Sequence, residues 1–220
     1  VREPISAVIF VRNDPDKLRS LIERLEPVLG RAGEVIVVDQ SSTDNTPEVA
    51  RECGARLLTR TRKGYPDPDR TWAYNQAKNT WVWAWDSDEY PDEELLALVP
   101  KLADQERKVH TYWIRRKNLV NGKDIYPILQ EDWQPRLFVK GSVQYSDRMH
   151  THPQLGSPHQ MWVTKGHIVH ERTLEQIEKA SENRALARDP QAQQLEHQFR
   201  ERVRAFLATG EANSGEERRS

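Results

Sequence analysis

The sequence predicts an α/β fold, with a mostly parallel central sheet, helices on both of its faces, and further helices at the C-terminus. Two observations predict it. Short runs rich in β-branched and aromatic residues alternate with helical patterns through the first 90 residues. Two of these runs end in acidic residues, Asp39 and Asp86. Ligands in open α/β sheets bind beyond the carboxyl ends of strands, so both residues are placed at a binding edge.

Ile5-Ser6-Ala7-Val8-Ile9-Phe10-Val11 is the first strand. Arg12-Asn13-Asp14 follows it, then an amphipathic helix with Leu18, Leu21, Ile22 and Leu25 on one face. Glu34-Val35-Ile36-Val37-Val38-Asp39 is an apolar β-branched run, as expected of an inner parallel strand. Ser42, Thr43 and Asp44 are candidate N-caps for a helix that reaches Cys53 and is stopped by Gly54. Ala55-Arg56-Leu57-Leu58 forms a third, shorter strand. Lys63 to Asp69 is rich in Gly, Pro and Asp and reads as a loop, with a helix from Arg70 to Lys78. Trp81 to Trp85 is the fourth strand; Trp81, Trp83 and Trp85 alternate, share one face, and read as core. This order implies a parallel sheet covered on both sides.

After Asp88 the pattern changes. A helix is expected from Asp92 to Leu102, a strand over Val109–Ile114, a tight turn at Asn121-Gly122, and a strand over Arg136–Val139. Two histidine-bearing segments follow, Met149–His152 and Gly166–His170. Leu174 to Leu207 is charged and helical, and Gly210 to Ser220 is a polar tail.

Composition narrows the function. The formal net charge of −1 gives no basic field toward nucleic acid or anionic lipid. The basic runs Arg60-Thr61-Arg62-Lys63 and Arg115-Arg116-Lys117 could face phosphates or solvent, and solvent is the favoured reading for isolated runs. The single cysteine, Cys53, excludes an internal disulfide and favours a cytoplasmic setting. No run approaches the ~18 apolar residues of a membrane span, which leaves peripheral membrane contact open.

Asp86-Ser87-Asp88-Glu89 carries the strongest chemical signal. Two carboxylates one residue apart at a strand end suit a hard divalent cation, which can neutralise a diphosphate. The plainer reading is a solvated loop capping the next helix, and Asp39 to Asp44 could likewise be ordinary helix capping.

Several motifs in order carry a resemblance. They are Val37-Val38-Asp39-x-x-Ser42-Thr43-Asp44-x-Thr46, then Lys63-Gly64-Tyr65, Arg70, Trp85-Asp86-Ser87-Asp88-Glu89, and Asp132-Trp133-Gln134-Pro135-Arg136-Leu137-Phe138. On these the chain resembles family 2 glycosyltransferases with the GT-A fold, nearest the branch of bacterial lipopolysaccharide core β-glucosyltransferases. The resemblance covers residues 4 to 185 or so. It departs at Thr71, where many relatives have Asn, and at Thr151, where relatives have Glu after the histidine.

The resemblance implies a metal-dependent, inverting transfer from a nucleotide-diphosphate sugar, a UDP-sugar, to a hydroxyl of a glycan or lipid-linked glycan. By it, Asp39 meets the uracil edge, while Arg12 and Asn13 border base and ribose. Asp86 approaches the ribose or the metal, and Asp88 binds Mn²⁺ or Mg²⁺ directly. His150 stands beside the metal or a phosphate, Arg70 lies near the diphosphate, and Lys63 is a weaker partner for it. Inversion needs a general base on the acceptor side; Asp132 is the candidate and Glu131 its rival. In domain terms, 1–90 is the nucleotide-sugar half of one GT-A domain and 91–172 the acceptor half. The span 173–208 is a C-terminal helical segment, and 209–220 a disordered tail. Two other readings keep the same residues: transfer to a nucleic acid, such as a modified base in phage DNA, and a non-catalytic nucleotide-sugar-binding module. Trp113, Trp133 and Trp162 offer an aromatic face for a sugar or base.

Overall fold

The structure, a computed structural model, describes residues 3–61, 67–103, 108–129, 131–146, 152–178 and 190–210. It divides into two compact units. The first comprises Val1–Arg116 and Trp133–Ile168, and the second Lys117–Asp132 and Val169–Ser220.

The first unit opens with β1 (Ile5–Val11), α1 (Pro15–Leu25), β2 (Glu34–Asp39), α2 (Thr46–Glu52), β3 (Arg56–Thr59), α3 (Asp67–Asn75) and β4 (Trp81–Asp86). These strands sit in the order β3-β2-β1-β4, all parallel. Then come β5 (Glu89–Pro91), α4 (Glu93–Ala103), β6 (Thr111–Val120), β8 (Trp133–Val139), β9 (Val143–Gln144), β10 (Gln154–Leu155) and β11 (Gln160–Arg172). The sheet continues β4-β8-β6-β11-β5, with β8 antiparallel to both β4 and β6. β9 and β10 form a separate antiparallel pair. The strands β6 and β11 cross the boundary between the units.

Two apolar layers cover the two faces of this sheet. One contains Leu18, Leu21, Ile22 and Leu25 of α1 with Val35, Val37, Trp81, Trp83 and Trp85; the other contains Val8, Phe10, Ile36, Val38, Ala73, Tyr74 and Phe138. The three alternating tryptophans are fully buried core residues, as their spacing predicts. Each indole Nε1 is buried without a hydrogen-bond partner among the described residues. Such an N–H costs roughly 1–3 kcal/mol. Burying a Trp side chain returns about 5 kcal/mol, so burial wins.

The second unit holds the end of β6, β7 (Lys123–Asp124), α5 (Tyr126–Leu129), the end of β11, a helix α6 described over 174–178, and α7 (Pro190–Thr209). β7 folds back on β6 through Asn121-Gly122, with φ of 49° and 76°. Asn-Gly with both φ positive is the pair that a two-residue hairpin turn demands. Its core is Val120, Ile125, Ile128, Ile177, Val203 and Phe206.

Several boundaries differ from expectation for physical reasons. The helix α3 starts at Asp67 rather than Arg70. Pro68 lies in its first turn, where a missing N–H costs nothing, so the Pro-rich stretch is part loop and part helix start. The strand β6 runs past Ile114 to Val120, and β8 begins at Trp133, three residues before the expected Arg136. Their polar halves pair in the sheet all the same. The strand β5 is three residues long and had no legible signal. Of the expected helical span from Leu174 to Leu207, the described residues show helix over 174–178 and over Pro190–Thr209.

Candidate active site

The carboxyl ends of β1, β2 and β4 are adjacent because Phe10 pairs with both Val38 and Asp86, and Val11 pairs with Asp39. That register brings Asp39 and Asp86 to one edge of the sheet.

Asp39 is 2% exposed, and its two carboxylate oxygens share the Ser42 N–H at 3.3 Å each. Asn13 adopts a left-handed φ of 50°, which Asn tolerates better than most residues. From there its N–H donates to Ser42 Oγ at 2.9 Å, and its Oδ1 accepts from Thr43 N at 2.8 Å. The loops after β1 and β2 are thus stitched together. Asp44 accepts from the Thr46 hydroxyl at 2.6 Å and its N–H at 3.0 Å; these bonds hold its carboxyl below the usual range, while the N-cap position of α2 falls to Asn45 rather than to Ser42, Thr43 or Asp44. Arg12 Nε, at the end of β1, and Gln40 Nε2, just past β2, are buried donors with no hydrogen-bond partner among the described residues.

A chain of alternating charge runs beside Asp86. Arg70 Nη2 donates to Asp86 Oδ1 at 2.8 Å and Oδ2 at 3.0 Å, and Arg70 Nη1 reaches the Tyr74 hydroxyl at 3.4 Å. Arg136 Nη2 touches Asp86 Oδ2 at 3.3 Å and Glu89 Oε1 at 2.7 Å. Arg116 Nη1 donates to the same Glu89 oxygen at 2.9 Å. Burial works to raise the Asp86 carboxyl, but Arg70 and then Arg136 outweigh it and hold it below the usual range. Burial likewise opposes the Arg70 charge, and Asp86, with Tyr74 and Tyr145, more than restores it. Breaking a buried pair of this kind by removing one partner typically costs 3–5 kcal/mol.

Asp88 lies half-buried in the turn between β4 and β5. Its charge acts on Asp14, whose carboxyl is pushed up by burial, opposed by Lys17 and reinforced by Asp88. Among the described residues no group of three or more His, Cys, Asp or Glu is placed to hold a metal. A Mg²⁺ or Mn²⁺ held through one or two carboxylates and the substrate's phosphates needs no such cage. Asp88 fits that role; Asp86 fits it less directly, because arginines occupy both its oxygens. Lys63 and His150 lie outside the described residues.

In the second unit, Asp132 Oδ2 accepts from Asn118 Nδ2 at 3.0 Å, and Asn118 Oδ1 faces His170 Nδ1 at 3.0 Å. Glu131 is exposed. His167 instead pairs with Asp92, the residue whose Oδ1 caps α4 through Leu95 N, so its role is local. The rings of Trp113 and Trp162 stack at 6.0 Å and 7°, with Trp162 52% exposed.

The sequence reading missed Glu89, Arg116 and Arg136 as parts of the site. Its expectation that both basic runs are merely solvated is corrected at two residues. Arg116 pairs with Glu89, and Arg60 pairs with the buried Asp69 at 2.8 Å while its guanidinium lies 4.4 Å from the Trp72 ring centre.

Residues 6–154 match the family model for glycosyl transferase family 2. The chain belongs to this family. It is 26% identical over 200 residues to the lipopolysaccharide core biosynthesis glycosyltransferase LpsC of Rhizobium meliloti (strain 1021), covering 86% of this chain and 72% of that relative. An uncharacterized glycosyltransferase of Rickettsia bellii (strain RML369-C) is 34% identical over 91 residues, 41% of this chain and 30% of the relative. The chain thus spans about a third of the length of such Rickettsia relatives. Among solved structures, S. aureus TarS aligns with a TM-score of 0.58 at 18% identity, over 93% of this chain and 43% of TarS. TarS 1–349 in complex with UDP aligns with a TM-score of 0.56 at 16% identity, over 96% of this chain and 73% of that one. These likenesses show the GT-A fold. No helix among the described residues is long and apolar enough to cross a membrane.

Proposed function

We propose that this family 2 protein is a metal-dependent, inverting glycosyltransferase that moves a sugar from a UDP-sugar to a hydroxyl of a glycan or lipid-linked glycan. The observation that carries the reading is the convergence of Asp39, Arg70–Asp86 and Asp88 at the carboxyl ends of neighbouring parallel strands. In this reading Asp39 accepts the uracil N–H, with Arg12 and Asn13 beside the base and ribose. Arg70 meets the diphosphate, with Lys63 as a second cation. Asp88, supported by Asp86 and His150, would hold Mn²⁺ or Mg²⁺, which when bound would supply Lewis acidity to the departing diphosphate.

The acceptor oxygen bonds to the anomeric carbon as the bond from that carbon to the UDP oxygen breaks. The acceptor proton passes to Asp132, with Glu131 as the alternative base. Arg70 stabilises the negative charge that grows on the leaving diphosphate. A glycan acceptor is supported by the name of LpsC, and a UDP donor by the TarS complex. A cytoplasmic setting belongs to the same proposal.

The test is a panel of nucleotide sugars with Mn²⁺, read by calorimetry and by slow donor hydrolysis. UDP-sugars should bind and hydrolyse, with release of the sugar in the inverted anomeric form by NMR. Preference for purine nucleotides, or retention of configuration, would defeat the reading.

A further inference from the structure

We infer that Glu89 is a positioning residue that keeps Asp86 and Arg70 exchangeable, acting through Arg136; this rests on the donor-site reading above. The Glu89 side chain is fully buried on the short strand β5, one residue past Asp88. Its Oε1 takes Arg136 Nη2 at 2.7 Å and Arg116 Nη1 at 2.9 Å, and its Oε2 lies 3.4 Å from the Asp86 N–H. The same Arg136 nitrogen reaches Asp86 Oδ2 at only 3.3 Å. One guanidinium nitrogen is therefore divided between two carboxylates, and Glu89 holds the shorter, stronger share.

The division has a consequence for Asp86. Glu89 draws Arg136 aside, so Asp86 is held firmly by Arg70, at 2.8 and 3.0 Å on its two oxygens, and only weakly by Arg136 at 3.3 Å. An apolar residue would fill the same buried position at no desolvation cost. A carboxylate there sets the strength of the Arg136–Asp86 contact, which an apolar residue cannot do. Without it, Arg136 turns fully onto Asp86, and a donor must displace two arginines instead of one.

The experiment is a double-mutant cycle on the full chain with Glu89→Gln and Asp86→Asn. UDP affinity in the presence of Mn²⁺ is read by calorimetry, and the thermal midpoint is read for each variant. Glu89→Gln keeps shape and removes charge. It should weaken UDP binding ~10-fold in the wild-type background and have no further effect once Asp86 is Asn. A merely structural role would shift the midpoint and leave the binding effects additive; additivity, or unchanged affinity, overturns the inference. If Glu89→Gln does not fold, Arg136→Lys enters the same cycle. Its single ammonium cannot bridge both carboxylates, so non-additivity with Asp86→Asn is again expected and additivity again overturns it. A wild-type chain that binds no UDP overturns the donor reading, and this inference with it; additivity in a chain that binds UDP overturns this inference alone.

Discussion

Asn118 donates through Nδ2 to Asp132 while its Oδ1 faces the ring nitrogen of His170, both at 3.0 Å. An amide oxygen can only accept, so His170 carries its proton on Nδ1. The amide thereby holds one oxygen of Asp132 from a strand, β6.

If Asp132 is the base, Asp132→Asn should leave UDP and metal binding nearly unchanged and reduce transfer at least ~10²-fold. Glu131→Gln should then have little effect. Steady-state transfer, or donor hydrolysis with water as acceptor, separates the two. The reverse ranking would assign the base to Glu131, and wild-type rates in both variants would rule out the proposed inversion.

If Asp132 is the base, Asn118→Ala should lower kcat more than it raises KM, since it loosens that carboxylate without touching the donor. A loss of about 10-fold, smaller than that of Asp132→Asn, is expected from misorientation alone. An equal change in UDP affinity would point to a general structural defect instead.

Asp88→Asn should abolish the Mn²⁺-dependent part of UDP binding while the thermal midpoint moves little. Exchanging an anionic oxygen for an amide weakens a hard-metal site. Calorimetry with UDP, with and without Mn²⁺, checks this, and an unchanged metal increment removes Asp88 from the site.

The acid limb of stability should depend on Asp86. Its carboxyl titrates below the ordinary value because Arg70 and Arg136 outweigh the opposing effect of burial. A depressed folded pKa contributes stability that is complete above about pH 4, the unfolded value, and is lost as pH falls through the folded one. Denaturant midpoints of wild type and Asp86→Asn should therefore converge below about pH 4. A constant gap down to pH 2 would contradict the pairing.

Gly166→Ala should be severe. Gly166 has a φ of 77°, and an added Cβ would stand 2.6 Å from the Leu95 backbone nitrogen. The strand β11 cannot yield there without moving the first turn of α4, so a loss of at least ~2 kcal/mol is expected from denaturant unfolding. Gly122→Ala, with φ 76° and open space around it, should cost only about 1 kcal/mol.

The first four strands were legible because each is an apolar run closed by turn residues, and the register that joins their ends then follows from the parallel order. Asp39 and Asp86 were legible for the same reason. Glu89, Arg116 and Arg136 were not. A charged residue reads as exposed unless its partner is known, and Glu89 is neutralised by residues 27 and 47 positions away, beyond any local window. The strand β5 was hidden by its shortness, and the start of α3 by a proline that suits both loop and helix. The second unit could not be read as a unit, because it is assembled from two separated stretches of chain.

That split assembly matters while the chain is being made. Val120, Ile125 and Ile128 bury their side chains against Ile177, Val203 and Phe206. Roughly 75 residues separate Ile128 from Val203, and at 5–20 residues per second a ribosome needs about 4–15 s to supply them. Through that interval the β6–β7 hairpin has emerged with its apolar side uncovered. A nascent chain stalled before α7 would be a natural client for chaperones, and synonymous codon choice over that interval would set how long the exposure lasts.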